Sequence, residues 1–164
     1  PRTSSAGRLF DAASALLGLG ATASFEGQAA MRLEFAVAPG VEAAYPMELG
    51  LEPDGRVVLD WRPLVRTLLE ERRAGVPIGA LAARFHGGLA EGIARAAERV
   101  GEPRVLLTGG CFQNVVLLER TLAALRAHGL RPYHHARIPP NDGGIALGQL
   151  AAVAAALRAQ PSWR

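Results

Sequence analysis

The residues best suited to chemistry stand on two glycine-containing turns in the second half of the chain. The first turn, Thr-Gly-Gly-Cys-Phe-Gln-Asn at 108–114, follows an apolar run and precedes apolar residues at helical spacing. Its glycines allow positive φ and let a ligand approach bare backbone, while the first amides of a following helix suit phosphate or carboxylate. The Asn114 amide adds a donor and an acceptor. An ordinary strand–helix turn without a ligand explains this stretch equally well.

A second turn, Asn-Asp-Gly-Gly at 141–144, places the carboxylate of Asp142 beside two more glycines. Each turn follows a segment that we expect to be a β-strand, at 105–107 and 130–134, and each precedes a segment with helical spacing. Alternating helices and strands are typical of a parallel α/β unit, in which ligand sites lie off the carboxyl ends of the strands. We therefore expect both turns to meet at one edge, bringing glycine, amide and carboxylate groups together.

Two further carboxylates lie in the first half of the chain. Asp11 falls on a predicted helix that begins near Ser4 or Ser5, and an Asp in mid-helix usually points into water. Glu26 opens a second predicted helix that continues through Phe35, where the helix dipole favours a carboxylate, so it is either a cap or a binding group. The residues alone leave both questions open.

The middle of the chain predicts the elements that would position these groups. The segments 43–51 and 56–60 predict a hairpin around a Pro-Asp-Gly turn, and a helix follows at 61–73. A longer helix is expected over 77–100, with a proline at its start. His86 falls on or near the apolar face of that helix, where a histidine is more often packed and hydrogen-bonded than catalytic.

Composition excludes several functional classes. With 164 residues, 49% hydrophobic and 20% charged, the chain is globular, and we expect one domain over 1–164. Its apolar runs are shorter than the roughly 18 residues that a membrane span needs. The net charge is +3, but every basic residue is Arg, interleaved with acids as at 69–73, and only 5% of residues are aromatic. This pattern predicts solvated helix faces and argues against nucleic-acid binding as the main role.

The two remaining compositional signals concern the origin of the chain. Cys111 is the single cysteine, so an internal disulfide is excluded, which fits a reducing compartment. The first five residues, Pro-Arg-Thr-Ser-Ser, contain neither an initiator Met nor a signal-peptide pattern. We therefore expect the chain to be an experimental excision from a longer polypeptide.

Four motifs, at 4–12, 25–30, 108–114 and 141–149, resemble those of the HypF family, the carbamoyltransferases of [NiFe]-hydrogenase maturation. They occur in the same order as in that family. The resemblance is to the C-terminal end of that carbamoyltransferase family. It implies an α/β fold, the C-terminal lobe of an actin-like ATPase domain (ASKHA, ribonuclease-H-like), helix-rich with a short mixed sheet. It also implies that the full-length enzyme uses carbamoyl phosphate and ATP, through carbamoyl-AMP, to carbamoylate the C-terminal cysteine of the partner HypE in the cytoplasm.

The resemblance further implies roles for individual residues. Those that it assigns to nucleotide or carbamoyl binding are Asp11, Glu26, Gly27, Gly109, Gly110 and Asn114. Asp11 matches an acid that holds the nucleotide ribose, and Gly27 matches a glycine that lines the nucleotide pocket. Gly110 and Asn114 match the corner that faces the adenylate phosphate or the carbamoyl group.

Asp142 matches a carboxylate that helps to bind a divalent metal, zinc or iron. The family's other metal ligands are two histidines in His-x-x-x-His spacing on the preceding lobe, and this sequence lacks that spacing. His134 and His135 cannot replace them, because neighbours on a strand point to opposite faces. A metal site normally needs three or more protein ligands. We therefore expect the chain to be catalytically silent by itself, with its half of the pocket open, and Cys111 to be a small buried filler.

Three alternatives remain at this point. Two are enzymes with a related lobe, an O-carbamoyltransferase of the antibiotic-tailoring kind and a tRNA threonylcarbamoyl-transferase subunit. The third is a non-catalytic module that docks HypE or a regulatory partner. In each case the absence of the preceding lobe and the upstream HypF domains is expected to expose apolar surface, which favours artificial self-association.

Overall fold

Most elements of the molecule pack on one long helix, α4 (Ile78–Val100). The computed structural model describes residues 4–20 and 22–159. Helix α4 follows Pro77 and ends at Gly101, where φ is +82°. Proline suits a helix start because its missing N–H would be unpaired there, and glycine suits the left-handed end of a helix. The long helix expected over 77–100 is confirmed.

The described part of the chain is helix-rich α/β, as expected. The other α-helices are α1 (Ala6–Leu16), α2 (Gln28–Phe35), α3 (Arg62–Arg73), α5 (Val115–Ala127) and α6 (Ile145–Ala159). The strands are β1 (Glu48–Leu51), β2 (Val57–Asp60), β3 (Arg104–Leu107) and β4 (Arg131–His134). Single 3-10 turns, Gly110–Gln113 and Asp142–Gly144, lead into α5 and α6. The end of the chain, 160–164, lies outside the described residues.

The strands form two separate pairs, and the expectation of one short mixed sheet is wrong. Strands β1 and β2 form the expected antiparallel hairpin, whereas β3 and β4 pair in parallel. Leu59 of β2 packs on the core around α4, while Leu107 of β3 packs with Leu125 of α5 and Ala94 near the end of α4. The two pairs therefore pack near α4 at different places and form separate two-stranded sheets.

The segment that precedes the hairpin lies directly against α4. The backbone nitrogens of Ala38 and Tyr45 donate to the carbonyls of Gly79 and Arg84, each at 3.0 Å. A Cβ at Gly88 would lie 2.6 Å from the Tyr45 carbonyl oxygen. The lack of a side chain at Gly88 therefore allows this segment to reach the α4 backbone.

The main core positions α1, α2 and α5, on or beside which several of the predicted site residues lie. Phe10 of α1, Leu33 of α2 and Phe85 of α4 are buried together, so α1 and α2 are held against α4. Phe10 precedes Asp11, and the first turn of α5 packs nearby through Leu117. Asp11 and the start of α5 therefore stand on elements anchored in one core.

Helix α6 differs from the others because its described side chains, 145–158, are all exposed. Its large exposed apolar residues are Ile145, Leu147, Leu150, Val153 and Leu157. The expectation that this chain presents uncovered apolar surface is confirmed by that helix. Within 4–20 and 22–159, the helices are too short or too polar to cross a membrane.

Candidate functional site

The two turns and the first two helices surround a cavity of about 720 Å³. The predicted site residues that line it are Asp11, Glu26, Gly27, Gly110, Asn114 and Asp142. Gly109 is the one predicted residue outside the described lining. The site therefore joins groups that lie more than a hundred residues apart in the sequence.

Parallel pairing brings the two turns together. Leu107 and His134, the last residues of β3 and β4, lie opposite each other. Just beyond them, the Gly109 nitrogen donates to the Pro140 carbonyl at 2.8 Å. Gly109 has a φ of +99°, which favours glycine, so its role in the structure is to shape and join the turns. The predicted meeting of both turns at one edge is confirmed.

Asp11 lies on the inner side of α1 and forms an ion pair with Arg8. The distance from the Arg8 Nη1 atom to the Asp11 Oδ2 atom is 2.8 Å, and 33% of the Asp11 side chain is exposed. Both residues line the cavity. Asp11 is therefore partly exposed at the cavity wall, an arrangement that fits both a solvated and a ligand-binding carboxylate.

Gly27 rather than Glu26 forms the beginning of α2. Gly27 is the N-cap and has a φ of +80°, and the first turn of this described helix contains no acid. Glu26 is exposed. A second hollow of about 250 Å³ adjoins the main cavity, and Asp11 and Glu26 line both. Phe25 lies on the second hollow and is 54% exposed. The alternative of Glu26 as a helix cap is therefore not supported.

Asn114 is both a cavity residue and the N-cap of α5. Its Oδ1 atom accepts from the Leu117 nitrogen at 2.8 Å, and its Nδ2 atom donates to the Nε2 atom of His86 at 3.0 Å. The His86 side chain is buried, and its Nδ1 atom lies 2.8 Å from the Ala82 carbonyl oxygen. Burial lowers the pKa of His86 to about 4, so the ring is neutral. The prediction of a packed, hydrogen-bonded His86 is confirmed.

Glu34 is a cavity residue that the sequence did not reveal. Its Oε1 atom accepts from the Val115 nitrogen at 2.7 Å. Two early amides of α5, those of Val115 and Leu117, are thus paired within the chain, so a ligand at these amides would have to displace a side chain. No spacing rule connects residues so distant, and only the packing of α2 beside α5 shows the contact.

The cavity is predominantly acidic. Its charged groups, among the described lining residues, are Asp11, Glu26, Glu34, Asp142 and Arg8, and Arg8 is already paired with Asp11. Carboxylates accept hydrogen bonds from hydroxyl and amino groups and attract cations, but they repel phosphate. The cavity therefore suits hydroxyl groups, amino groups or cations better than an uncompensated phosphate.

The comparisons with known proteins agree with this geometry. A family model described as a carbamoyltransferase, Kae1-like domain, second subdomain, matches residues 1–149. The chain belongs to this carbamoyltransferase family. Its match to that family covers both turns and both carboxylate-bearing segments of the first half.

Curated relatives carry the name carbamoyltransferase HypF. The chain is 42% identical to that of Synechocystis over 153 residues, which cover 93% of this chain and 20% of the relative. It is 47% identical to that of Rhizobium leguminosarum over 154 residues, covering 91% of this chain and 19% of the relative. The chain thus spans about a fifth of the length of the relatives that it matches.

Solved structures of HypF show the same fold. One is described as full-length HypF in the phosphate- and nucleotide-bound form, with a TM-score of 0.85 and 37% identity, and the match covers 98% of this chain and 21% of that one. Another, HypF from T. kodakarensis, has a TM-score of 0.75 and 28% identity, covering 94% of this chain and 20% of that one. The arrangement of elements described above is therefore that of a HypF segment.

Within this carbamoyltransferase segment, Cys111 differs from its expectation as a buried filler. It is half-buried and lies on the wall of the cavity, although it also packs against the core. Burial raises the pKa of its thiol, which disfavours the reactive thiolate.

Within 4–20 and 22–159, this carbamoyltransferase segment lacks a complete metal site of its own. Asp142 is exposed, and the described residues contain no cluster of three or more His, Cys, Asp or Glu side chains that could hold a metal ion. The Nε2 atom of His135 lies 3.1 Å from the Thr108 hydroxyl, while the Nδ1 atom of His134 lies near the His135 carbonyl. One carboxylate does not hold a metal tightly, so a metal bound at Asp142 would need further ligands from outside the described residues.

Proposed function

We propose that this chain is part of a HypF-type carbamoyltransferase and forms one wall of its nucleotide and carbamoyl site. The full-length enzyme would use carbamoyl phosphate and ATP, through carbamoyl-AMP, to carbamoylate the C-terminal cysteine of HypE in the cytoplasm. The carrying observation is that residues from all four motifs line a single cavity. Family membership and relatives named carbamoyltransferase HypF support the reaction class.

In this proposal the nucleoside lies against α1 and the start of α2. The Asp11 carboxylate accepts hydrogen bonds from the ribose hydroxyls, and Gly27 lets the ligand approach the start of α2. Gly110 and Asn114 also line the cavity, and the proposal places the phosphate or carbamoyl end at these two residues. A solved relative is described as phosphate- and nucleotide-bound, which supports a nucleotide as the ligand class.

The proposal requires positive charge from outside the described lining of the cavity. The lining acids outnumber the one lining arginine, so a bound adenylate would be repelled unless cations compensate its phosphate. Asp142 would contribute to a divalent metal, zinc or iron, whose histidine ligands the rest of the enzyme supplies. That metal would polarise the carbamoyl group when it is bound. The chain alone is therefore proposed to be inactive.

The transfer step itself has a simple balance. The acceptor thiol loses its proton to solvent, and its sulfur attacks the carbamoyl carbon of carbamoyl-AMP. A carbon–sulfur bond forms, the bond from that carbon to the AMP oxygen breaks, and AMP leaves with the electron pair. In this proposal the acceptor thiol lies on the partner protein, and the thiol of Cys111 is not the acceptor.

A titration of AMP with added Mg²⁺ into the chain, followed by calorimetry, tests the site. We expect weak binding by the parent and loss of binding in Asp11→Ala and Asn114→Ala. Asp54→Ala is the matched control, because Asp54 also pairs with a nearby arginine but lies on the hairpin turn away from the cavity. The same titrations in the full-length protein decide the case in which the parent chain does not bind.

Normal binding by both site variants of the full-length protein would contradict the site. The docking-module alternative makes a different prediction, in which the full-length protein loses HypE binding when this segment is removed but both variants bind nucleotide normally. The related O-carbamoyl and threonylcarbamoyl transferases differ in acceptor, so carbamoylation assayed with HypE, a small alcohol and tRNA separates the three reactions.

A further inference from the structure

Four groups form a continuous chain of hydrogen bonds behind the cavity. The Leu117 nitrogen donates to the Asn114 side chain, Asn114 donates to His86, and His86 bonds to the Ala82 carbonyl. We propose that His86 is a positioning residue of this site, acting through Asn114, whose amide it holds in one orientation at the cavity wall. This proposal rests on the proposed function for the identity of the ligand, but not for the hydrogen bonds themselves.

The orientation follows from the donor and acceptor properties of each group. The Leu117 N–H can only donate, so the atom of Asn114 that faces it is the oxygen Oδ1. The nitrogen Nδ2 must then face His86 and donate to the Nε2 atom, which therefore carries no proton. The proton is on Nδ1, where it donates to the Ala82 carbonyl. The neutral tautomer with its proton on Nδ1 is thus compatible with all three hydrogen bonds. The other tautomer, or a protonated ring, would lose the hydrogen bond from Asn114.

This arrangement decides what Asn114 can offer to a ligand. Each amide nitrogen has two hydrogens and each amide oxygen two lone pairs. One hydrogen of Nδ2 goes to His86 and one lone pair of Oδ1 goes to Leu117, so the second hydrogen and the second lone pair are what the side chain has left. Without His86, only the Leu117 nitrogen would hold the Asn114 amide, so the direction of its free donor and acceptor at the wall would be less restricted.

His86 is buried behind the cavity wall and is not among its described lining residues, so it would act on a ligand only through Asn114. Its side chain is fully buried and is packed edge-on against Phe10 and Phe85, with ring centroids 5.4 and 5.8 Å away. Phe10 is the neighbour of Asp11, the candidate ribose ligand. A single buried ring therefore supports both walls of the cavity, α1 through Phe10 and the start of α5 through Asn114.

The first test measures the hydrogen bonds without any nucleotide. In the ¹⁵N-labelled chain at pH 7, NMR should show a His86 ring with its proton on Nδ1 and an Asn114 side-chain amide protected from exchange. A ring protonated on Nε2 would overturn the proposal. In His86→Leu the Asn114 amide protection should be lost, whereas His86→Gln should keep it, because the glutamine Oε1 atom can accept from Asn114 in place of Nε2.

The second test measures AMP binding in the full-length protein, with the same two variants. We expect His86→Leu to raise the Kd by about tenfold, the effect of one lost hydrogen bond to a ligand, and His86→Gln to stay within about threefold of the parent. Equal binding by parent and His86→Leu would overturn the proposal. If His86→Leu does not fold, the parent tautomer and the His86→Gln variant decide.

The two proposals can fail separately. If Asn114→Ala binds AMP normally, the proposed nucleotide site is wrong, and the NMR result alone decides whether His86 orients Asn114. If Asn114→Ala loses binding while His86→Leu keeps it, the site stands and the positioning role of His86 is wrong.

Discussion

The Glu34 Oε1 atom lies 2.7 Å from the backbone nitrogen of Val115 and accepts its hydrogen bond, although the two residues are 81 positions apart. The carboxylate thus closes the first turn of α5 from the side of α2. Gly27 begins α2 and Asn114 caps α5, so this contact also fixes the distance between two walls of the cavity.

Removing that carboxylate should weaken the start of α5. Because it pairs an early helix amide and places a negative charge at a helix N-terminus, Glu34→Ala should lower the free energy of unfolding by about 1 kcal/mol. Chemical denaturation measures this change. Glu70→Ala, which removes an exposed carboxylate from α3, is the control and should have little effect. Equal losses in both variants would show that the contact does not stabilise the fold.

His86 should make the fold sensitive to acid. Burial, with Arg120 as a smaller cause, lowers its folded pKa to about 4, below the ordinary 6.5. The unfolded chain therefore binds this proton first, and the resulting stability is complete above pH 6.5 and is lost as the pH falls towards 4. The loss is on the order of 3 kcal/mol, from a shift of this size. Denaturation at several pH values should show a flatter profile in His86→Gln; an unchanged profile would exclude His86 as the cause.

His128 should have the opposite pH dependence. Its two ring nitrogens lie 3.0 Å from Glu91 and Glu98 of α4, and these hydrogen bonds raise its pKa. The stabilisation is complete below pH 6.5 and is lost as the pH rises through the raised folded pKa. It amounts to at most about 1 kcal/mol, since the partners are largely exposed. In His128→Gln, thermal unfolding should lose this alkaline decline, and a decline that persists would assign it to another group.

Two helical glycines should respond differently to the same substitution. An alanine Cβ at Gly88 would meet the Tyr45 carbonyl oxygen at 2.6 Å, whereas nothing lies within 4 Å of that position at Gly148. Gly88→Ala should therefore cost about 2 kcal/mol or more through overpacking. Gly148→Ala should be neutral or add up to about 1 kcal/mol through helix propensity. Denaturation midpoints compare the two, and equal values would mean that the segment before the hairpin does not press on α4.

The uncovered apolar side chains of α6 should cause self-association. Leu150 and Leu157 are 67% and 64% exposed. We expect sedimentation velocity to show concentration-dependent association of the chain, which the double substitution Leu150→Glu and Leu157→Glu should reduce. The thermal unfolding midpoint should not change, because neither side chain is part of the core. A monomeric parent at all concentrations would contradict this expectation.

The local part of the site could be predicted from the sequence. The apolar run before Gly109, the helical spacing after Asn114 and the second glycine turn at Asp142 predicted two strand-end turns that meet. Parallel pairing of β3 with β4 confirms this. Such signals are short-range, and the backbone chemistry of glycine and asparagine expresses them directly.

The parts that could not be predicted depend on packing between distant elements. Glu34 gave no signal because its partner is a backbone N–H, which every residue except proline has. The position of His86 on an apolar face predicted that it is buried and paired, but its contact with Asn114 requires the registration of α4 against α5. The prediction of a single mixed sheet was wrong for a similar reason, because strand composition does not specify which helix a strand will pack against.

Asp142 differs from the other cavity residues in what holds it. Asp11 and Asn114 belong to elements anchored in the core, whereas the turn that contains Asp142 continues directly into α6. Fifteen helical residues extend about 22 Å. Any contact made by the exposed α6 would therefore also affect the position of the Asp142 carboxylate, even a contact at the far end of the helix.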